Sequence, residues 1–147
     1  MEWKTEFATG IHNIDAQHRT IVDLITLFEN LVETEARWDD VHSLILRTRR
    51  FIEFHFDVEE SLMQLLPYPN LSRHRAEHLR ELQTITDIDN RMSRKALKYQ
   101  LAPQLRECLI DHITRGDLWL AQYARRLYGR PLAGDGNGRS AAPEGQI

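Results

Sequence analysis

The chain has 147 residues, 41% of them hydrophobic and 28% charged, which is typical of one globular domain with its own core. Its formal net charge of −3 offers no positive surface to attract nucleic acid. No apolar run approaches the ~20 residues of a membrane span, and the N-terminus, MEWKTEFATG, lacks the features of an export signal. The single cysteine, Cys108, cannot form an internal disulfide, so we expect a cytoplasmic protein.

Two helices are predicted in the first half of the chain. Residues 14–35 repeat apolar positions at three- and four-residue spacing, and Asn13 or Asp15 is available as an N-cap. The same spacing recurs over residues 39–66, where Pro67 must end the helix.

Two further helices are predicted in the second half. The third begins at Asn70 or Ser72 and ends near residue 88, before the polar stretch DNRMSRK, which we interpret as a connection. The fourth covers residues 96–128, and Pro103 either marks its true first turn or kinks it.

Four helices with short connections and no strand alternation predict an all-α fold. We expect an antiparallel up-down four-helix bundle with an N-terminal arm, formed by residues 1–128. Residues 129–147 contain five of the seven glycines and no apolar periodicity, so we predict a disordered tail.

Histidine interrupts the apolar face of every predicted helix. Five of the seven histidines, and one glutamate, fall on these inward faces: His18, His55, Glu59, His74, His78 and His112. The other two, His12 and His42, lie off these faces, and we predict that both are at the surface. One buried histidine is more often a hydrogen-bonded core residue than a ligand. Five beside a carboxylate would be costly to bury without a cation, so we predict a metal site.

The predicted ligands narrow the choice of metal without deciding it. A set of histidines and carboxylates differs from the cysteine-rich sites of structural zinc. Imidazole suits iron, zinc, copper and nickel alike. Five histidines and Glu59 are more than one ion takes while keeping a position free, so two ions are expected.

Four motifs resemble those of the bacteriohemerythrins, the single-domain bacterial members of the hemerythrin family. They are IDAQH at 14–18, HFDVE at 55–59, YPNLSRHRAEH at 68–78 and HITRGD at 112–117, and the resemblance covers residues 3–128. It implies two iron ions per chain, in a non-haem di-iron centre with an oxo or hydroxo bridge, that binds O2 reversibly.

The resemblance also implies seven iron ligands. One iron would be held by three histidines and the other by two, with both carboxylates bridging: His74, His78 and His112; His18 and His55; Glu59 and Asp117. Two octahedral irons held in this way keep one position open, on the iron with two histidines, where O2 can bind.

Two positions depart from a simple pattern. Asp117 follows His112 by five residues, which on a regular helix rotates it by about 140°. Either a π-bulge near Gly116 brings it round, or it approaches the metals from the side. Cys108 stands where the family typically has tryptophan, one turn before His112, so we expect a cavity or a water-accessible channel beside the site. The alternative is that neighbouring leucine, phenylalanine or tryptophan side chains fill the space.

The resemblance implies an oxygen-binding protein for storage, delivery or scavenging, and not an enzyme. O2 is the expected partner, with no nucleic acid and no membrane span, and the sequence does not identify a protein that receives the O2. One alternative is an oxygen or redox sensor; because we expect no second domain after the bundle, such a sensor would act through a separate partner. Another is a di-iron enzyme that reduces peroxide or nitric oxide, which a wider pocket at Cys108 would favour.

Overall fold

A computed structural model describes residues 2–91 and 94–128, and between residues 88 and 98 it describes only the backbone. The described chain is helical and contains no β-strand, which confirms the all-α prediction. Its helical elements are a short 3-10 helix in the N-terminal arm (Thr5–Phe7), α1 (His12–Glu33), α2 (Trp38–Leu65), α3 (Leu71–Arg91), α4 (Arg94–His112), a π-helical segment (Ile113–Asp117) and α5 (Leu118–Tyr128). The predicted tail, residues 129–147, lies outside the described residues.

The helices form a four-helix bundle. Helix α1 packs against α2 and α4, α2 also packs against α3, and α3 packs against α4, so each helix lies beside its neighbours in sequence. Short connections at residues 34–37 and 66–70 make consecutive helices antiparallel. Helix α4, the π-helical segment and α5 follow one another without a break and form the fourth long helix.

The start of α1 corrects one prediction. The helix begins at His12, and neither Asn13 nor Asp15 is its N-cap. The Asp15 carboxylate instead accepts hydrogen bonds from Thr9, through its backbone N–H and its hydroxyl, both at 2.7 Å, and from the Gly10 N–H at 3.1 Å. These bonds tie the N-terminal arm to the first turn of α1.

The join between the last two helices is a second correction. Helix α3 continues to Arg91 and α4 begins at Arg94, so most of the predicted polar connection is helical. Arginine, lysine and methionine are good helix formers, and a polar stretch does not distinguish an exposed helix end from a loop. Asn70 directly precedes α3, as predicted, whereas Pro103 lies inside α4 and not in its first turn.

Two apolar clusters fill the bundle and leave a polar layer between them. The larger contains Ile25, Val41 and Leu105, together with Phe7 from the N-terminal arm. The smaller joins the end of α2 to α5 and includes Leu120. Along α3, His74 and His78 come between Leu71 of the smaller cluster and Leu82 of the larger one. None of the described helices is both long and apolar enough to cross a membrane.

Candidate metal centre

All seven predicted ligand residues lie together in this polar layer. None of them is more than 5% exposed: His18, His55, Glu59, His74, His78, His112 and Asp117. They come from all four long helices of the bundle. Among the described residues, ligand atoms from these seven fall into two overlapping groups, each compact enough to hold a metal ion.

The helix geometry explains how Asp117 reaches the cluster. In a π-helix the hydrogen bonds join residues five apart, so the segment Ile113–Asp117 returns Asp117 to the face that His112 occupies. The first of the two predicted alternatives is therefore confirmed. Gly116 is part of the same turn, and a Cβ atom there would lie 2.7 Å from His74 Cε1. Only glycine fits beside His74 without displacing it.

The two oxygens of Glu59 face different histidines. Its Oε2 lies 3.1 Å from His112 Nε2, 3.3 Å from His78 Nε2 and 3.5 Å from His74 Nε2. Its Oε1 lies 3.6 Å from His55 Nε2. We refer to His74, His78 and His112 as the three-histidine set and to His18 and His55 as the two-histidine set.

Asp117 divides its oxygens in the same way. Its Oδ1 lies 3.2 Å from His112 Nε2 and 3.8 Å from His74 Nε2, in the three-histidine set. Its Oδ2 lies 2.9 Å from His18 Nε2, in the two-histidine set. Both carboxylates therefore span the two sets, with one oxygen directed at each.

Most of these close contacts do not have the geometry of hydrogen bonds. The exception is the contact between His112 Nε2 and Glu59 Oε2. In the described chain the following buried atoms have no hydrogen-bond partner: Nε2 of His18, His55, His74 and His78, Oε1 of Glu59, and both carboxylate oxygens of Asp117. A buried polar atom without a partner costs about 1–3 kcal/mol. Metal ions would provide a partner for every one of these lone pairs, so the residues fit a metal, and this donor set suits iron.

Hydrogen bonds on the far side of the rings direct the Nε2 lone pairs inward. His55 Nδ1 donates to Gln17 Oε1 at 2.9 Å, and His78 Nδ1 donates to Glu60 Oε1 at 2.9 Å. A neutral imidazole carries one N–H, so donation from Nδ1 leaves Nε2 with the lone pair that a metal requires. Such partners are usual behind metal-bound histidines.

Burial and mutual charge determine the protonation of the cluster. Burial lowers the pKa of His55 to about 3, so its ring is neutral at pH 7, as a metal ligand has to be. Burial raises the pKa of Asp117, and the charge of Glu59 raises it further. Burial also acts to raise the pKa of Glu59, but His55 and His112 outweigh it and hold that pKa well below its usual range. Two carboxylates in one dry site repel each other, and a cation removes that repulsion.

A small apolar cavity adjoins the cluster on the side of Cys108. Its volume is about 20 Å³, and its lining includes Cys108, His55 and His112. A cavity was predicted here, and this one, whose lining also includes Leu105 and Leu109, has room for only a single small molecule. Trp119, 47% exposed, does not fill it.

A much larger polar cleft opens on the other side of His112, between α3 and the fourth long helix. It has a volume of about 630 Å³ and is lined by charged residues including Arg80 and Glu81. Glu81 lines the apolar cavity as well, so that cavity has one carboxyl group in its wall. Glu81 and His112 thus lie between the solvent-facing cleft and the interior.

The two remaining histidines lie outside the cluster. His12 is exposed at the start of α1, as predicted. His42 is half-buried, with its ring stacked on Trp38 at 5.7 Å between centroids. Sequence patterns did not indicate the residues behind the ligand rings, Gln17, Glu60 and Glu81. Their only local signal is that Gln17 and Glu60 are polar residues adjacent to a ligand in the chain.

Comparison with known families agrees with this geometry. The family model "Hemerythrin HHE cation binding domain" matches residues 9–124, which is most of the chain. The chain belongs to the hemerythrin family. The match confirms the family resemblance that the four motifs indicated. The matched range, residues 9–124, also contains all seven residues of the buried cluster.

Three bacteriohemerythrins are similar to the chain. That of Clostridium acetobutylicum is 32% identical over 79 residues, which cover 52% of this chain and 61% of that protein. That of Methylococcus capsulatus is 25% identical over 136 residues, covering 90% and 97%. That of Stenotrophomonas maltophilia is 27% identical over 116 residues, covering 78% and 74%. No solved structure matches the chain.

Proposed function

We propose that this chain binds O2 reversibly at a non-haem di-iron centre, for oxygen storage, delivery or scavenging, and that it is not an enzyme. The observation that carries the proposal is the division of Glu59 and Asp117 between two histidine sets. A carboxylate with one oxygen directed at each set is suited to bridge two ions. We assign this function to the bundle, residues 1–128.

Each iron would be held by one histidine set. The three-histidine set would hold the first iron and the two-histidine set the second, with Glu59 and Asp117 shared and an oxo or hydroxo bridge between the metals. When bound, the irons supply the electrons and the free coordination position that reversible O2 binding needs. Five histidines, which bind a metal in their neutral form, and only two carboxylates would give the loaded site less negative charge than a carboxylate-rich ferritin-like centre. That balance favours binding over oxidative catalysis.

The chain contributes a mostly apolar approach to His55 of the two-histidine set and to His112 of the three-histidine set. The apolar cavity reaches His55, and Ile52, Leu105 and Leu109 form part of its wall. A small apolar gas is accepted there, whereas the surrounding hydrocarbon excludes bulk water. Phe56 stacks on the ring of His78 at 3.8 Å between centroids and holds it from the side.

Iron content and reversible spectra test the proposal. Protein loaded with Fe²⁺ under anaerobic conditions should contain about two irons per chain. Its optical spectrum should change when O2 is admitted and return when O2 is removed. The variant His74→Ala should lose at least one iron, because it deletes a buried ligand, whereas the exposed control His12→Ala should keep both.

Other outcomes would favour other functions. A single tightly bound zinc ion, with no uptake of iron, would overturn the di-iron proposal. Steady turnover of peroxide or nitric oxide with a reductant would make the chain a di-iron enzyme. Specific capture of a signalling kinase or cyclase, dependent on O2, would make it a sensor.

A further inference from the structure

Side chains that contact the outer ring nitrogen, Nδ1, of the ligand histidines come from the helices in a regular order around the bundle. Gln17 of α1 accepts from His55 of α2, and Glu60 of α2 accepts from His78 of α3, both at 2.9 Å. Each supporting side chain therefore belongs to the helix that precedes its histidine in the chain.

The same order continues to the fourth long helix and then stops. Glu81 of α3 has its Oε2 3.6 Å from Nδ1 of His112 at the end of α4. His18 of α1 completes the circle, but its Nδ1 has no hydrogen-bond partner among the described residues. A polar side chain therefore lies close to Nδ1 of His55, His78 and His112, whereas Nδ1 of His18 has no hydrogen-bond partner among the described residues.

The supports also differ in charge between the two histidine sets. Two members of the three-histidine set, His78 and His112, are backed by carboxylates. In the two-histidine set, His55 is backed by a neutral amide. The Glu60 carboxylate is fixed in place, because its second oxygen accepts a hydrogen bond from Arg75 Nε at 2.8 Å.

A carboxylate behind an imidazole strengthens it as a ligand more than an amide does. The negative charge draws the Nδ1 proton toward itself and raises the basicity of Nε2, which increases the electron donation to a bound metal. Removing such a partner typically lowers metal affinity by about 10- to 100-fold. The Arg75 charge only partly offsets this effect, because its side chain is 43% exposed and screened by water, whereas Glu60 contacts the ring directly.

We propose that these outer residues make the two metal positions unequal: Glu60, assisted by Glu81, tightens the three-histidine position, and Gln17 leaves the two-histidine position weaker. Glu60 is a positioning residue, since it acts through His78. The longer contact of Glu81 gives it a smaller effect than Glu60. This inference rests on the proposed di-iron function, and it concerns how firmly each ion is held.

The test is the release of iron to a strong ferrous chelator. Anaerobic, iron-loaded protein should lose its two irons in two separate phases. The variant His18→Ala removes a ligand of the two-histidine position and should leave only the slow phase, which assigns the phases. Glu60→Gln should accelerate the slow phase about tenfold and leave the fast phase unchanged. Glu81→Gln should accelerate the slow phase by less.

The reciprocal variant and a matched control complete the test. Gln17→Glu places a carboxylate behind His55 and should slow the fast phase severalfold. This gain does not depend on whether Glu60→Gln folds normally. The control Glu53→Gln makes the same change on the same helix at a glutamate paired with Arg49, away from the histidines, and should alter neither phase.

Each result bears separately on the inference and on the proposed function. Wild-type protein with two irons that leave in a single phase would overturn the inference and keep the di-iron function. The same holds if Glu60→Gln behaves like Glu53→Gln, if it accelerates both phases equally, or if Gln17→Glu leaves the fast phase unchanged. Wild-type protein that holds fewer than two irons would overturn both.

Discussion

At the scale of single residues, the site is defined by what surrounds each polar atom. His18, His55 and Glu59 are completely buried, so each lone pair must find a partner inside the protein. Hydrogen bonds engage the outer nitrogen of His55 and His78 and leave the inner nitrogen for a metal. Cys108 is a neutral neighbour of the site, because burial raises the pKa of its thiol and the carboxylates of Glu81 and Glu107 raise it further.

Cys108 controls how much space remains beside His55 and His112. Leucine at this position would fill the cavity of about 20 Å³, whereas tryptophan would have to displace its neighbours. We expect the oxygenated form of Cys108→Leu to convert to the ferric form severalfold more slowly under air, because less water reaches the metals. Serine is nearly the size of cysteine but attracts water, so Cys108→Ser should convert faster. The conversion can be followed optically, and equal half-lives for all three proteins would show that Cys108 does not control access.

At the scale of elements, the π-helical segment decides whether the fourth long helix contributes one ligand or two. Its five residues bring Asp117 to the face of His112. They also place Gly116 against the ring of His74. The ordinary helix resumes at Leu118, and α5 packs its own apolar face into the smaller core cluster.

Substitution of Gly116 tests this close approach. In Gly116→Ala the new methyl group would lie 2.7 Å from His74 Cε1, so His74 or the helix must move. We expect iron-loaded Gly116→Ala to lose about 1–3 kcal/mol of unfolding free energy in urea, together with part of its iron. The control Thr114→Ala changes an exposed residue of the same segment and should stay within about 0.5 kcal/mol. Full iron content and unchanged stability in Gly116→Ala would mean that His74 has room to move.

At the scale of the whole molecule, the polar layer makes the bundle depend on its metals. Apolar clusters pack on both sides of seven buried polar residues, five of them histidines. Without cations the buried lone pairs lack partners, and the folded state loses free energy that the unfolded chain keeps in water. Metal binding is therefore also a contribution to folding.

Removal of iron should lower the melting temperature at pH 7. Iron at about a thousand times its dissociation constant stabilises the folded state by about 4 kcal/mol, which corresponds to a shift of about 10 °C for a chain of this size. The melts can be followed by circular dichroism before and after chelation. His74→Ala is the control, because its melting temperature should respond less to iron. Identical melts for loaded and metal-free wild-type protein would exclude this contribution.

Acid should destabilise the metal-free bundle through His55. Its pKa is about 3 when folded, because burial disfavours the charged ring, and about 6.5 when unfolded. His55 therefore does not lower the free energy of unfolding above pH 6.5. Below that pH the free energy of unfolding decreases, and it continues to do so until the pH reaches about 3. By pH 5 the loss from this residue should be about 2 kcal/mol.

The variant His55→Gln isolates this effect, because glutamine does not titrate. Urea unfolding of metal-free protein at pH 7 and pH 5 should show a smaller loss of stability on acidification in the variant, by about 2 kcal/mol. Equal losses in both proteins would mean that His55 takes up its proton as easily in the folded state as in the unfolded state.

The sequence alone determined the bundle and the seven residues that meet in it. Apolar spacing of three and four residues specifies helices, and histidines at the same spacing share their inward faces, so the cluster follows from local periodicity and from the motif resemblance. Predicted helix ends were wrong where local chemistry is ambiguous. Asp15 looked like a helix cap but binds Thr9 and Gly10, and the polar stretch after residue 88 is helical up to Arg91 and again from Arg94.

Only the tertiary structure decided how the site is supported. Gln17, Glu60 and Glu81 act across helix boundaries, on histidines 38, 18 and 31 residues farther along the chain, and local periodicity carries no information about such pairs. The sequence left two possible approaches for Asp117, and the π-helical segment selected one of them. The size of the cavity at Cys108 likewise depends on side chains from three other helices, since packing is a property of the assembled interior.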